Sequence, residues 1–138
     1  MPNPINRLKL NATVKAYPAV SDLQAISGFV RKVEKMTDVG APNYDHDFYT
    51  VPAGRIFVME MLSAYCWQAT PTFVNFILRS GGVDYGFYLA AYGGAFENHM
   101  WADPIKFDEN EIVRIHWTTT LAATDVVAST FGYLIDKY

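Results

Sequence analysis

The 138-residue chain reads as a mainly β domain, an antiparallel sandwich or barrel, and three observations say so. Six to eight short runs rich in Val, Ile, Phe, Tyr and Thr recur at spacings near ten residues from about residue 28 onward. Several alternate apolar and polar residues, the period of a strand with one wet face. Turn residues stand between them, among them Pro52-Ala53-Gly54 and Ser80-Gly81-Gly82. At this length one domain with one core is expected, burying roughly two thirds of the surface that the unfolded chain exposes.

The opening stretch MPNPINRLKLNATVKAYPAV carries prolines at positions 2, 4 and 18 and dispersed apolar residues, which suit an extended arm better than a packed element. Residues 1–27 are assigned to this arm and residues 28–138 to the β domain. The segment SDLQAISGFVRKVEKMTD is open to two readings. Ser21 and Gln24 match a capping box, and Leu23, Ile26, Val30 and Val33 share one helical face, which allows a short helix near residues 21–28. Gly28 costs such a helix about 1 kcal/mol. Alternatively a helical turn near residues 21–26 is followed by a strand that starts near Phe29 and pairs with DFYTVP across the loop DVGAPNYDH.

From Phe48 the β signals strengthen. Pro52 fixes φ and cannot donate to a ladder, and Gly54 permits positive φ, so the Val-Pro-Ala-Gly turn ends one strand and aims the next over residues 55–64. That strand is too continuously apolar for one wet face. If Ile56, Val58 and Leu62 serve the core, then Phe57, Met59 and Met61 meet the opposing sheet or another chain. Residues 73–79 alternate Val74, Phe76 and Leu78 against Asn75 and Arg79, and Ser80-Gly81-Gly82 turns the chain into a strand over residues 85–92. After the loop GGAFENHMWADP come a short IKF, the polar turn DENE and a strand over residues 112–120. In it Val113, Ile115 and Trp117 oppose Arg114, His116 and Thr118. VVASTFGYLI closes the chain.

Apolar residues make up 51% of the sequence and aromatic residues 15%, while charged residues supply only 18% against a usual share of about 25%. A surface so poor in charge favours a buried partner interface, and a homo-oligomer such as a trimer fits. The net charge of −3 argues against general affinity for nucleic acid or anionic membrane. It hides an asymmetry, for residues 1–21 hold Arg7, Lys9 and Lys15 and no acid. Such an arm cannot form a core of its own but can lie along another surface. Its partner-binding residues are assigned as the apolar anchors Ile5, Leu8, Leu10, Tyr17 and Val20, with Arg7, Lys9 and Lys15 facing acidic groups. No run approaches the roughly 18 apolar residues of a spanning helix, and the N-terminus lacks the apolar centre of a signal peptide, so production in a cytoplasm is expected.

Candidate chemistry is sparse. The lone Cys66 excludes an intrachain disulfide and reads as a small buried hydrophobe. Asp45-His46-Asp47 offers metal donors, although a solvated loop tip is the commoner use. Glu97 and His99 offer an acid/base pair with no second motif beside them, and His116 beside Arg114 reads as exposed or interfacial. Tyr85, Tyr88, Tyr92, Trp101 and Trp117 offer sugar-stacking platforms, although core or oligomer packing is the commoner role. No catalytic, metal or cofactor site is assigned, and no enzymatic activity is expected.

YTVPAGRIFVMEMLSAY, VDYGFYLAAY, MWADPIKFDENEIVRIHWTTT and the terminal FGYLIDKY together resemble the small jelly-roll virion proteins of tailed bacteriophages, over about residues 28–138. The shared pattern is a Val-Pro-Ala-Gly-Lys/Arg lead-in to a strand, a midpoint tryptophan or glycine loop, an acidic turn into an edge strand, and a final Gly-Tyr strand. The chain departs from it at Asp108-Glu109-Asn110-Glu111, where a glycine often makes the turn. The resemblance implies a jelly-roll-type sandwich and favours the strand at Phe29. It implies a structural protein made in the host cytoplasm and located in the virion: a head decoration or auxiliary capsid protein first, a tail or fibre component with a receptor- or glycan-binding sandwich second. The implied partners are the major capsid protein or tail subunits. A cupin-like enzyme on a similar sandwich would need a His-x-His cluster, and none of His46, His99 and His116 lies within two residues of another.

Overall fold

Side chains alternating along short β-rich runs build two antiparallel sheets packed face to face. The computed structural model describes residues 26–39, 43–67, 71–94, 96–119 and 124–137. Among them the strands are β1 (Ile26–Val39), β2 (Asn43–Thr50), β3 (Arg55–Cys66), β4 (Pro71–Ser80), β5 (Val83–Ala91), β6 (Asn98–Trp101), β7 (Ile105–Phe107), β8 (Ile112–Thr119) and β9 (Thr124–Asp136). No helix among the described residues is long and apolar enough to cross a membrane.

One sheet runs β1-β9-β3-β6, with β7 also on β3, and the other runs β2-β8-β4-β5. The short strands β6 and β7 pair with successive stretches of β3 and act as one interrupted edge strand. Counted so, the strands fall into the jelly-roll order, two Greek keys folded into a sandwich. The segment at Phe29 is a strand, and its pairing differs from the hairpin expected with DFYTVP. β1 pairs with β9, and β2 with β8 in the opposite sheet. Of the short helix proposed near residues 21–28, residues 26–28 lie in β1 and the rest lie outside the described residues. From Ile26 onward the chain is extended because β1 gains a ladder with β9, and the capping-box residues Ser21 and Gln24 lie outside the described residues. The boundary set between residues 27 and 28 therefore falls inside a strand.

The turns follow local chemistry. Gly54 takes φ 75°, and Gly81 and Gly82 take 57° and 82°, the two positive values that a two-residue hairpin of type I′ requires. In the acidic turn Asn110 does the work of the missing glycine at φ 65°. That turn is tied to its surroundings. Glu109 accepts the Gly54 N–H at 2.8 Å, and the Lys137 ammonium donates to Asp108 and Glu109 at 2.7 and 3.0 Å.

Between the sheets lie Trp117, Phe48, Phe57, Phe76, Phe107, Met59, Leu62 and Ile115, all fully buried. The apolar strand β3 covers both faces by changing phase. Phe57 and Met59 point inward, a bulge at Glu60 inserts one residue against β9, and Leu62, Ala64 and Cys66 point inward thereafter. Ile56 and Val58 thus lie on the outer face, where Val58, Tyr133 and Ile135 form a second apolar cluster with Ile26 and Ile56. The grouping of Ile56, Val58 and Leu62 on one core face is corrected accordingly, as is the expectation of a single core. The Thr130 hydroxyl, buried, donates to the Met61 carbonyl at 2.7 Å beside the bulge.

The flank where β1 and β2 lie side by side is sealed by polar groups. Lys32 donates to the Phe48 carbonyl, and the Glu34 carboxylate meets Lys32 at 3.2 Å and His46 Nε2 at 3.1 Å. Burial works to raise the Glu34 carboxyl, but His46 and Lys32 outweigh it and hold it below its ordinary 4.5. The hydrogen bond from Arg79, aided by Arg114, likewise holds Asp84 below 3.8. A carboxyl depressed in the folded state contributes stability that is present above its unfolded value and lost as pH falls through its folded value. The urea midpoint is therefore expected to fall as pH drops from about 5 toward 3, and Glu34→Gln to flatten that slope. An unchanged slope in the variant would show that the seam carries no linked proton.

Candidate interaction surface

The outer face of the four-stranded sheet joins a set of paired charges to the exposed apolar side chains Phe73 and Leu89. On the four-stranded sheet the register places Asp45 opposite His116, and Asp47 opposite Arg114. Arg114 donates to Asp47 at 2.7 Å and to Asp84 at 3.3 Å, Arg79 donates to Asp84 at 2.7 Å, and His116 Nδ1 lies 2.6 Å from Asp45. The Asp47 hydrogen bond, against some desolvation, raises the Arg114 guanidinium further above its ordinary value. Here each cation already faces a carboxylate, which removes the unbalanced charge an anion site needs. His116 Nε2 also lies 3.4 Å from the Thr118 hydroxyl, giving the order carboxylate, imidazole, hydroxyl. The neighbouring backbone N–H groups that an oxyanion would need are committed to the β2-β8-β4 ladder. This arrangement is a polar lattice across a sheet.

The outer face of the five-stranded sheet carries apolar residues interspersed with polar ones. Reading across β1, β9 and β3, the rungs are Phe29, Tyr133 and Val58; then Arg31, Phe131 and Met61; then Val33, Ser129 and Ser63; then Lys35, Val127 and Tyr65. Met100 of β6 extends the third rung. Phe29 is 76% exposed, Val33 62%, Met100 54% and Phe131 44%. Between them a depression of about 440 Å³ is lined by Arg31, Val33, Met61, Ser129, Thr130 and Phe131, and the Ser63 and Ser129 hydroxyls bond each other at 2.6 Å. Arg31, Lys35 and Lys106 stand on this face, Lys35 paired with Asp125 at 3.4 Å. Contiguous exposed apolar surface of this kind marks an interaction site.

The arm residues assigned to partner binding, Ile5, Arg7, Leu8, Lys9, Leu10, Lys15, Tyr17 and Val20, lie outside the described residues. Asp45-His46-Asp47 belongs to strand β2, not to a loop tip. Alternation sends both carboxylates outward and His46 inward to Glu34, so the three do not converge. Glu97 bonds the Gly93 and Gly94 N–H groups, and its carboxylate stands 3.6 Å from His99 Nε2, beyond hydrogen-bond reach. His99 Nδ1 instead meets the Tyr88 hydroxyl at 3.2 Å. Cys66 is buried, its Sγ 3.5 Å from the Gly94 carbonyl.

Four of the five aromatic residues offered as sugar platforms serve the core. Trp117 and Tyr92 are buried, and Tyr88 and Trp101 pack against the core cluster; only Tyr85 is largely exposed. Burial drives the Tyr92 phenol far above its ordinary value. The Trp117 indole opposes that shift from nearby, although it stops short of hydrogen-bond geometry. Sequence reasoning missed Phe29, Met100 and Phe131. The signal available for Phe131 was the last strand, where both Val126, Ala128 and Leu134 and the alternate set Val127, Phe131, Tyr133 and Ile135 are apolar, as in strands covered on both faces.

No protein-family model matches the chain, and no curated protein does. Among solved structures the chain is similar to the Drosophila NLP core, described in terms of pentamer formation and histone binding, at 10% identity over 80% of this chain and 100% of that one, with a TM-score of 0.41. It is also similar to a Bacillus endospore appendage protein from a family of disulfide-linked pili, at 19% identity over 80% of this chain and 88% of that one, with a TM-score of 0.36.

Proposed function

We propose that the chain is a non-enzymatic structural subunit of a bacteriophage virion, a head decoration or auxiliary capsid protein, that docks through the outer face of its five-stranded sheet. The observation that carries this reading is the set of exposed apolar side chains Phe29, Val33, Met100 and Phe131 on one sheet face, opposite a face whose charges are already paired. The resemblance of residues 28–138 to phage jelly-roll proteins supplies the setting. The partner is a neighbouring virion subunit, either the major capsid protein or another copy of this chain, that offers apolar side chains and an acid to meet Arg31. The basic arm extends the same contact, with Ile5, Leu8, Leu10, Tyr17 and Val20 as anchors.

The test is incorporation into particles. Phe131→Glu puts a carboxylate into the centre of the belt while sparing the core, so it is expected to leave the melting temperature nearly unchanged and to cut the copy number in purified particles at least tenfold. Leu89→Glu, on the opposite outer face, is the control and should incorporate normally. Deleting residues 2–20 is expected to act like Phe131→Glu. Wild-type incorporation of the Phe131 variant, or a chain absent from the particle, would sink the proposal. A monomeric mass at micromolar concentration would remove its homo-oligomeric form.

A further inference from the structure

Three aromatic side chains meet at one end of the sandwich, where β3 runs out and β6 begins. The Tyr65 ring centroid lies 6.0 Å from that of Trp67 at 79°, and 6.5 Å from that of Phe96 at 48°. The rings therefore wall a corner and do not stack on one another. Trp67 is 45% exposed and Phe96 62%. Their backbones are fixed: Trp67 N–H donates to the Asp125 carbonyl at 2.8 Å, Phe96 N–H to the Cys66 carbonyl at 3.0 Å, and Cys66 N–H to the Glu97 carbonyl at 3.2 Å. The Lys35 ammonium stands 5.0 Å over the Trp67 ring and 3.4 Å from the Asp125 carboxylate, which holds the indole in place from one side.

Phe96 makes this corner unusual. Its φ is 62°, a left-handed conformation that Gly, Asn and Asp adopt at little cost and a bulky side chain does not. The strain returns no burial, because the ring projects into solvent. Strained backbone that presents an exposed apolar ring is characteristic of a ligand clamp.

We infer that this corner binds a neutral saccharide, with the C–H face of a pyranose ring against Trp67 and Phe96. Aromatic walls fit the apolar face of the sugar, and its hydroxyls find polar groups on the rim. Asn98, exposed, stands opposite Tyr65 in the register, and Lys35 lies beyond the indole. A wholly apolar partner would have to desolvate the Lys35–Asp125 pair without replacing its hydrogen bonds. An anionic ligand would meet a cation already neutralised by Asp125 in an acidic chain. Trp67 and Phe96 stand on connecting segments just beyond the last rung of the apolar belt, to which Tyr65 and Lys35 belong. The inference does not depend on the proposed virion role.

Saturation-transfer NMR and tryptophan fluorescence, with the full chain titrated by cellohexaose, chitohexaose and mannohexaose, test it. Saturable binding of at least one hexaose is expected, weakened tenfold or more by Trp67→Ala. Phe96→Asn separates ligand from fold: it should lose binding to the same degree while raising the melting temperature, because Asn suits the backbone that Phe strains. The inference is overturned if none of the three hexaoses saturates by about 10 mM, or if Phe96→Asn binds as the wild type does. It is equally overturned if Trp67→Ala abolishes particle incorporation while no sugar binds, which would make the corner a protein contact.

Discussion

Gly132→Ala is expected to lower the melting temperature by roughly 10 °C or more, the effect of losing about 3 kcal/mol. Gly132 sits in the central strand β9, opposite Val30 on one side and Met59 on the other. A methyl group there would come 2.2 Å from the Val58 carbonyl oxygen, 2.6 Å from Phe57 Cε2 and 3.0 Å from the Met59 Cα. Two of these neighbours are backbone and cannot step aside. The third is a fully buried ring set against Tyr49 and Phe107 at centroid distances of 4.9 and 6.2 Å. The bulge at Glu60 lies just beyond Met59, so any backbone shift that made room would also strain the Thr130–Met61 contact. Here glycine is needed for close approach between strands and not for positive φ. Calorimetry on the purified variant decides the matter, and a melting temperature within about 2 °C of the wild type would show that β9 and β3 do not approach as described.

Trp117→Ala is expected to cost about 3–5 kcal/mol, a large part of the roughly 5–15 kcal/mol that holds a domain of this kind together. Trp117 heads the fully buried side chains by volume and stacks on Tyr44 at 5.9 Å. Truncation leaves a cavity between two sheets that both carry rigid ladders, so little collapse can refill it. Trp117→Phe gives a sharper comparison. It creates a smaller void and also removes an indole N–H that is buried without a partner, so it should cost less than half as much as the alanine variant. Urea unfolding of the two variants separates these terms. A loss below about 1 kcal/mol for alanine would place Trp117 outside the core.

What could be foreseen in the sequence was what depends on near neighbours. The β4–β5 hairpin was legible because Gly81 and Gly82 dictate their own turn, and β8 because Val113, Ile115 and Trp117 keep strict alternation. The pairing of β1 was not legible, since its partner lies about a hundred residues away and nothing local distinguishes β9 from the nearer DFYTVP. β6 is four residues long, and its strand character comes from Leu62–Tyr65 of β3 rather than from Asn-His-Met-Trp itself. The apolar belt escaped notice for a related reason. The bulge at Glu60 shifts the phase of β3, so the residues that share its outer face do not share a single period in the sequence. Arm residues 1–20 were read from composition, and they lie outside the described residues.

The central place of β9 also governs how this protein is made. β1 and β3 are not neighbours in their sheet; each pairs with β9, the last of the described strands. A growing chain that has already released β1 and β3 from the ribosome cannot join them until β9 follows. Until then it exposes two apolar strands with unpaired edges, a state prone to aggregation. Assembly of this sheet is therefore expected to wait for β9 and to be slow in the manner of long-range β topologies. Termination before Thr124 would remove the strand that joins β1 to β3, leaving a fragment for proteases rather than a shortened but competent subunit.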